Sequence, residues 1–319
     1  MKVLVMGAGA LGSILGGFLA RAGHQVTLVG RPAHMNAIRE GGLHVTGIWG
    51  EHHITGMRAV TAAADVIDRD FDVVFIAVKS YDTAAAIAQA APLLADHTLV
   101  CSWQNGLGNA ETIAETTGWN RVVEAMVIFG VHIPEPGHVG VTVIARPTAL
   151  GVYPDGPDPE RVRALAQALD DAALPTVYSD QIAAELWRKV AYNSALNALC
   201  ALLDLPYGGL PELPETRAIM ADVVRELYNV AAARSIPLDP PTHEAYLDLF
   251  YEKLVPPTAA HFGSTHEDFR LHRRTEVDAL NGAIVRFGEA SGVECPVNRT
   301  ITRLVKARER LYAASHARP

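Results

Sequence analysis

Residues 7–12 read Gly7-Ala8-Gly9-Ala10-Leu11-Gly12, directly after the apolar run Val3-Leu4-Val5-Met6 and at the head of a helical stretch, residues 11–22. Glycines at that spacing between a strand and a helix leave few folds open. The first permits a tight turn, the second lets a ligand approach the backbone, and the third lets helix pack close on strand. The helix N-terminus that follows offers N–H donors and a dipole that favours negative charge. A pyrophosphate suits this arrangement, so Gly7, Ala8, Gly9, Ala10, Leu11 and Gly12 are expected to cradle a dinucleotide. With its early lysine the same stretch superficially resembles a secretory signal. The glycines interrupt the apolar run at spacings with their own purpose, and the strand–turn–helix reading is preferred.

The rest of the first half extends the pattern. Residues 25–29, 71–78 and 98–102 read as strands, and residues 83–94 as a helix. The run FDVVFIAV at 71–78 is continuously apolar, as in a strand buried on both faces. Such alternation predicts a parallel sheet covered by helices on both sides. Residues 121–151 mix Val, Ile and Thr with Pro134, Pro136, Gly137 and Gly140, which suggests shorter, partly antiparallel strands. A loop (YPDGPDP, 153–159), a helix (161–173) and a short strand (176–178) follow. From about residue 181 helical periodicity dominates, broken at 205–214, 237–241 and Pro256-Pro257. The expected fold is a Rossmann-type, doubly wound α/β domain over 1–179, then an all-helical domain over 180–319.

The helical half opens with a second informative pattern, ELWRKVAYNSALNAL at 185–199. Lys189, Asn193 and Asn197 recur at i, i+4 and i+8, on one helix face. Their neighbours are apolar, so the three need partners from the protein or from a polar substrate.

The net charge of −8 argues against nucleic acid, which requires a basic face, but not against a small anion. Cys101, Cys200 and Cys295 are far apart and form no metal spacing, which fits a reducing compartment such as the cytoplasm. No uninterrupted apolar run reaches the length of a membrane span. His261, His266, Glu267, Asp268 and His272 cluster but match no standard metal spacing. After the second strand comes Val29-Gly30-Arg31-Pro32, with Arg31 about where an NAD-preferring fold places a carboxylate. A guanidinium can pair with a 2′-phosphate through two hydrogen bonds, so NADP(H) is expected over NAD; the alternative is an ordinary surface arginine.

Several further motifs fall in a recognisable order: Val78-Lys79-Ser80, Gln104-Asn105-Gly106-Leu107-Gly108, the Lys189/Asn193/Asn197 helix, Ser264, Thr275-Glu276-Val277-Asp278 and Asn281-Gly282. With the glycine loop they resemble the ketopantoate reductase (2-dehydropantoate 2-reductase) family, almost to the C-terminus. The resemblance implies NADPH-dependent reduction of a 2-keto acid in pantothenate synthesis. It implies that Lys189 is the general acid, that Asn193, Asn197 and Ser264 hold the substrate, and that Glu276 accepts from its hydroxyl. Lys79 and Asn105 would line the seam of cofactor and substrate, in a cleft between the domains. A lysine suits the chemistry, because hydride transfer to a ketone leaves negative charge on oxygen.

Each residue has a plainer alternative. Lys189 can be a snorkelling surface lysine, Asn193 and Asn197 interhelical hydrogen bonds, Glu276 a solvated helix charge beside the stripe Val277, Leu280, Ile284 and Phe287, and Asn105 a turn residue. The chain also departs from the family pattern at His138-Val139-Gly140-Val141-Thr142, at His272-Arg273-Arg274 and at Trp103, which bears on the substrate more than on the reaction. Two rival functions are a D-2-hydroxyacid dehydrogenase of the same family, acting on another branched or aromatic 2-keto acid, and a non-catalytic NADP-binding sensor. The helical half is compatible with a homodimer.

Overall fold

A computed structural model describes residues 1–144 and 146–316. The chain forms two compact units. The first comprises Met1–Asn105 with Asn109–Ile182; the second runs from Ala183 onward and includes Gly106–Gly108.

The first unit is built on an eight-stranded sheet. Its strands are β1 (Lys2–Met6), β2 (Gln25–Val29), β5 (Arg58–Val60), β6 (Val73–Ile76), β7 (Leu99–Ser102), β8 (Val122–Met126), β11 (Thr148–Gly151) and β12 (Thr176–Tyr178). They lie in the order β12-β11-β8-β7-β6-β1-β2-β5. From β5 to β8 all neighbours are parallel; β11 runs antiparallel to β8 and parallel to β12. Beside β1 the strand order reverses, the switch point at which open α/β sheets bind ligands. Alternate residues feed two cores. Val3, Val5, Val73, Phe75 and Cys101 point to one face, and Leu4, Met6, Val74, Ile76 and Val100 to the other. With both faces buried, β6 carries apolar residues only, which explains its unbroken apolar run. Helices α1 (Ala10–Arg21), α2 (Pro32–Gly41), α3 (Thr83–Ala90), α4 (Asn109–Thr117) and α5 (Pro159–Asp171) complete this unit.

A second sheet was not legible beforehand. Strands β3 (Leu43–Gly47), β4 (His52–Ile54), β9 (Phe129–Glu135) and β10 (His138–Ile144) form a four-stranded sheet in the order β4-β3-β10-β9. The antiparallel character expected of residues 121–151 is present, but it is divided. Strands β8 and β11 pair in the large sheet, whereas β9 and β10 pair with each other. Strand β10 also runs parallel to β3, matching His138 with His44 and Val141 with Gly47.

The second unit is helical: α6 (Ile182–Leu203), α7 (Pro214–Ala233), α8 (His243–Leu249), α9 (Ser264–Arg270), α10 (Asn281–Ser291) and α11 (Pro296–His316). Helix α8 runs on into a π-helical turn, Phe250–Leu254, before Pro256 and Pro257. Helix α6 carries Leu186, Trp187, Val190, Ala191, Ala195 and Leu196, all buried, and Trp187 packs against Phe287 at 5.8 Å between ring centroids. A buried polar chain ties α6, α7, α10 and α11 together. The Glu226 carboxylate accepts the N–H groups of Val297 and Asn298 at 2.8 and 2.9 Å, so it caps the start of α11. Asn298 Nδ2 donates to Glu226 at 2.7 Å, and Asn281 Nδ2 donates to Asn298 Oδ1 at 2.9 Å and to the Ser194 carbonyl at 3.0 Å.

Candidate active site

In the first unit the glycine loop joins β1 to α1. Gly7 has φ +99°, and a Cβ there would lie 2.5 Å from the Val78 backbone nitrogen. Gly12 packs so tightly that a Cβ would meet the Gly7 carbonyl at 2.5 Å. Gly9 is different: a Cβ on it would meet nothing within 4 Å. It forms the N-cap of α1, with no side-chain cap. The first helical N–H groups, at Ala10, Leu11 and Gly12, have no acceptor within the helix. Open space over Gly9 beside unclaimed donors fits the pyrophosphate of a dinucleotide. Within the loop, Gly7 and Ala8 both donate to the Val29 carbonyl, at 2.9 and 2.8 Å, which ties the loop to the end of β2.

Arg31 lies two residues beyond β2, exposed, as the N-cap of α2. Lys79 follows the central strand β6 as the N-cap of the turn Ser80–Asp82, half-buried. Gln104 positions that turn, since its Nε2 donates to the Val78 carbonyl and to Thr83 Oγ1, each at 2.8 Å. Asn109 Nδ2 donates to the Asn105 carbonyl at 3.0 Å, which fixes the backbone of the half-buried Asn105. Gly106, at φ +90°, packs so closely on Ala279 that a Cβ would come within 2.5 Å of its carbonyl oxygen.

In the second unit Lys189, Asn193 and Asn197 all lie on α6. Lys189 and Asn193 are half-buried and Asn197 is buried. Tyr207 donates its hydroxyl to Asn197 Oδ1, which fixes that amide and leaves its Nδ2 donors for another acceptor. Burial raises the Tyr207 hydroxyl far above its ordinary value, so it stays protonated as a donor. The Asn193 amide has no hydrogen-bond partner among the described residues, so it is not the interhelical bond that was the plainer alternative.

Ser264 is exposed as the first residue of α9. Its neighbour Gly263 presses on Asn197, where a Cβ would fall 2.7 Å from Oδ1 and 2.5 Å from the Tyr207 hydroxyl. The structure therefore brings the Ser264 segment onto the asparagine face.

Glu276 is not the solvated helix charge of its plainer alternative, which rested on the stripe Val277, Leu280, Ile284 and Phe287 at helical spacing. Instead Glu276 is only 8% exposed and precedes a 3₁₀ turn, Val277–Ala279. The helix starts only at Asn281, because Leu280 breaks it with φ −106° and ψ −106°. Thr275, next to it, anchors the segment by donating its N–H and hydroxyl to Glu309 Oε1 at 2.7 and 2.6 Å. Lys79, Asn105, Lys189 and Glu276 are each engaged in further polar interactions. Of the histidine–carboxylate cluster, His266 pairs with Asp204 at 2.8 Å and Glu267 with Arg270 at 2.7 Å.

Sequence reasoning missed Tyr207. It lies in a 3₁₀ turn, Tyr207–Gly209, with no periodic pattern to mark it, and only folding places it against α6.

Family comparison matches this geometry along most of the chain. The model of the N-terminal part, "Ketopantoate reductase PanE/ApbA", covers residues 3–155, and the model of the C-terminal part covers residues 181–309. The chain belongs to the ketopantoate reductase family. A 2-dehydropantoate 2-reductase of Aquifex aeolicus is 39% identical over 309 residues, which is 97% of this chain and 97% of that protein. Among solved structures, a PanE/ApbA family ketopantoate reductase from Ralstonia eutropha JMP134 superposes with a TM-score of 0.87 and 34% identity, over 98% of this chain and 100% of that one. D-mandelate dehydrogenase, in a ternary structure with NADH and anilino(oxo)acetate, gives a TM-score of 0.86 and 27% identity, over 98% of this chain and 99% of that one.

Proposed function

We propose that the chain reduces 2-dehydropantoate to pantoate with NADPH. The observation that carries the reading is the α6 face: half-buried Lys189 beside Asn193, whose amide no described residue engages, and Asn197, whose donors are left over, in a chain of this family. When bound, the nicotinamide supplies the hydride. Lys189 donates a proton to the ketone oxygen as negative charge develops there, and so acts as general acid. Asn193, Asn197 and Ser264 donate hydrogen bonds to the carboxylate and hydroxyl of the substrate. Glu276 accepts from that hydroxyl, and a buried carboxylate left without this donor penalises analogues that lack it.

Gly7, Ala8, Gly9, Ala10, Leu11 and Gly12 hold the pyrophosphate. Lys79 and Asn105 serve the cofactor, and Asn105 the substrate as well. Arg31 takes the 2′-phosphate; its exposure after β2 leaves the guanidinium accessible. The units of this chain are read as a cofactor-binding part up to about residue 179 and a substrate-binding part from 180. Three unpaired, buried cysteines suit a reducing compartment, and we assign the enzyme to the cytoplasm. No described helix is long and apolar enough to cross a membrane. Size-exclusion chromatography with light scattering tests for a homodimer.

A second reading is favoured by the likeness to D-mandelate dehydrogenase: oxidation or reduction of another 2-hydroxy or 2-keto acid with NADH. One experiment separates the two. Ketopantoate, phenylglyoxylate and 2-ketoisovalerate are each assayed with NADPH and NADH. The first reading expects the highest kcat/KM for ketopantoate with NADPH. Faster turnover of phenylglyoxylate with NADH at low concentration selects the second. Lys189→Ala is expected to lower kcat by roughly 10²–10⁴-fold while NADPH binding stays nearly unchanged; an unaltered kcat removes Lys189 as the acid.

A further inference from the structure

We infer that His34 is a positioning residue for the cofactor loop, passing the hold of the β9–β10 turn through Ser13 to the Ala8 carbonyl. The inference rests on the dinucleotide reading of residues 7–12. His34 sits in α2, three residues after Arg31, and is 6% exposed. Its Nδ1 accepts the Gly137 N–H at 2.9 Å. A ring nitrogen that accepts carries no proton, so in the neutral imidazole the proton is on Nε2. Nε2 lies 3.0 Å from Ser13 Oγ, and therefore donates to it. The Ser13 hydroxyl keeps its own proton for the Ala8 carbonyl, 3.3 Å away. Each group in this relay has one defined role, and no donor is used twice.

The relay acts on the part of the loop that matters for an anion. Ala8 lies between Gly7 and Gly9. Its N–H is bound to Val29 on β2 and its carbonyl to Ser13 on α1, so both sides of this stretch are fixed. Backbone donors held in place before the ligand arrives lose less entropy on binding. At the other end the turn is seated firmly. Gly137, at φ +83°, approaches α2 so closely that a Cβ would lie 3.0 Å from the Ala37 methyl, and its carbonyl accepts from His44 at 2.9 Å.

Protonation breaks the relay at a known atom. A proton on Nδ1 turns the acceptor into a donor facing the Gly137 N–H. Burial opposes this by pushing the imidazole below its ordinary value of 6.5. Glu40, near the end of α2, is exposed, and other charged groups on the packed elements are engaged elsewhere. Arg21 on α1 bonds His52, Arg39 on α2 bonds the Ala59 carbonyl, and Glu135 pairs with His138 across the turn at 3.7 Å. Arg31, at the start of α2, is exposed.

The test is NADPH binding to the purified full-length chain, by titration calorimetry, for wild type, Ser13→Ala, His34→Gln, His34→Ala and the double variant Ser13→Ala with His34→Ala. Ser13→Ala and His34→Ala are each expected to raise Kd by roughly tenfold, and the double variant to bind no worse than the weaker single one. kcat at saturating NADPH moves little. As pH falls below 6.5, wild type is expected to lose more affinity than His34→Gln for the same ligand. Because both titrations share the ligand, its own phosphate cancels. Single variants that bind NADPH as wild type does, or costs that simply add, overturn the inference while leaving the cofactor reading intact. Failure of the wild-type chain to bind NADPH overturns both. If His34→Ala does not fold, Ser13→Ala decides alone.

Discussion

Replacing Gly9 with alanine separates folding from cofactor binding. The backbone there has φ −81° and ψ −155°, which alanine adopts, and the added methyl meets nothing within 4 Å. Two small terms oppose each other in the free protein. Alanine restricts the unfolded chain and stabilises by about 0.4–1 kcal/mol. As an N-cap it is poorer than glycine by roughly 0.5 kcal/mol. The net effect lies within about 0.5 kcal/mol, or a Tm shift under ~2 °C. Cofactor binding behaves otherwise, because the methyl occupies the approach of the pyrophosphate. Overpacking of a close contact costs about 1–3 kcal/mol, equivalent to a Kd for NADPH raised roughly 5- to 150-fold. Gly12→Ala is the control. Its Cβ would strike the Gly7 carbonyl at 2.5 Å, a backbone contact that cannot yield cheaply, so its Tm falls with or without ligand. The measurements are differential scanning fluorimetry without nucleotide and calorimetric titration with NADPH. A Gly9→Ala chain that melts normally and binds NADPH as wild type does would refute the assignment of this loop.

Other outcomes follow from particular contacts. Arg31→Ala is expected to weaken NADPH by about tenfold and leave NADH unchanged, with the NADPH loss shrinking at high salt because the guanidinium is exposed; equal losses for both cofactors exclude a phosphate clamp. Glu226→Gln replaces a buried carboxylate that accepts from Val297, Asn298 and the Asn298 side chain, and is expected to cost about 1–3 kcal/mol in urea unfolding; an unchanged midpoint refutes its role as the cap of α11. Burial lowers the imidazoles of both His34 and His261, so the unfolded chain takes up these protons at higher pH than the folded one. Their contribution is complete above about 6.5 and is lost as pH drops through the lowered folded values, so the urea midpoint falls in that window, and by less in His34→Gln.

Much of the candidate site was legible because local chemistry reports it. The glycine loop is read from three residues whose roles depend on the turn they form. The face of Lys189, Asn193 and Asn197 needs only the helix repeat, and α6 is a continuous helix across it. The limits are equally physical. Glu276 carries no local mark of burial, since the apolar stripe that follows it has the same spacing whether or not the chain breaks at Leu280. Tyr207 sits in a non-periodic turn, and its hold on Asn197 arises only when that turn folds back on α6. Residues 43–54 lack the long apolar runs of the central strands, because the small sheet they enter is partly exposed and their two strands are short.

By itself the sequence determined the doubly wound sheet, the glycine loop at residues 7–12 and the polar face of α6. Each depends on spacing within one element, where side-chain direction follows from backbone repeat. The tertiary structure alone decided that β3 pairs with β10, that Glu276 is buried at a 3₁₀ turn, and that His34 reaches both Gly137 and Ser13. Those facts depend on which distant segments meet, and contact between segments far apart in the chain leaves no periodic trace in either one.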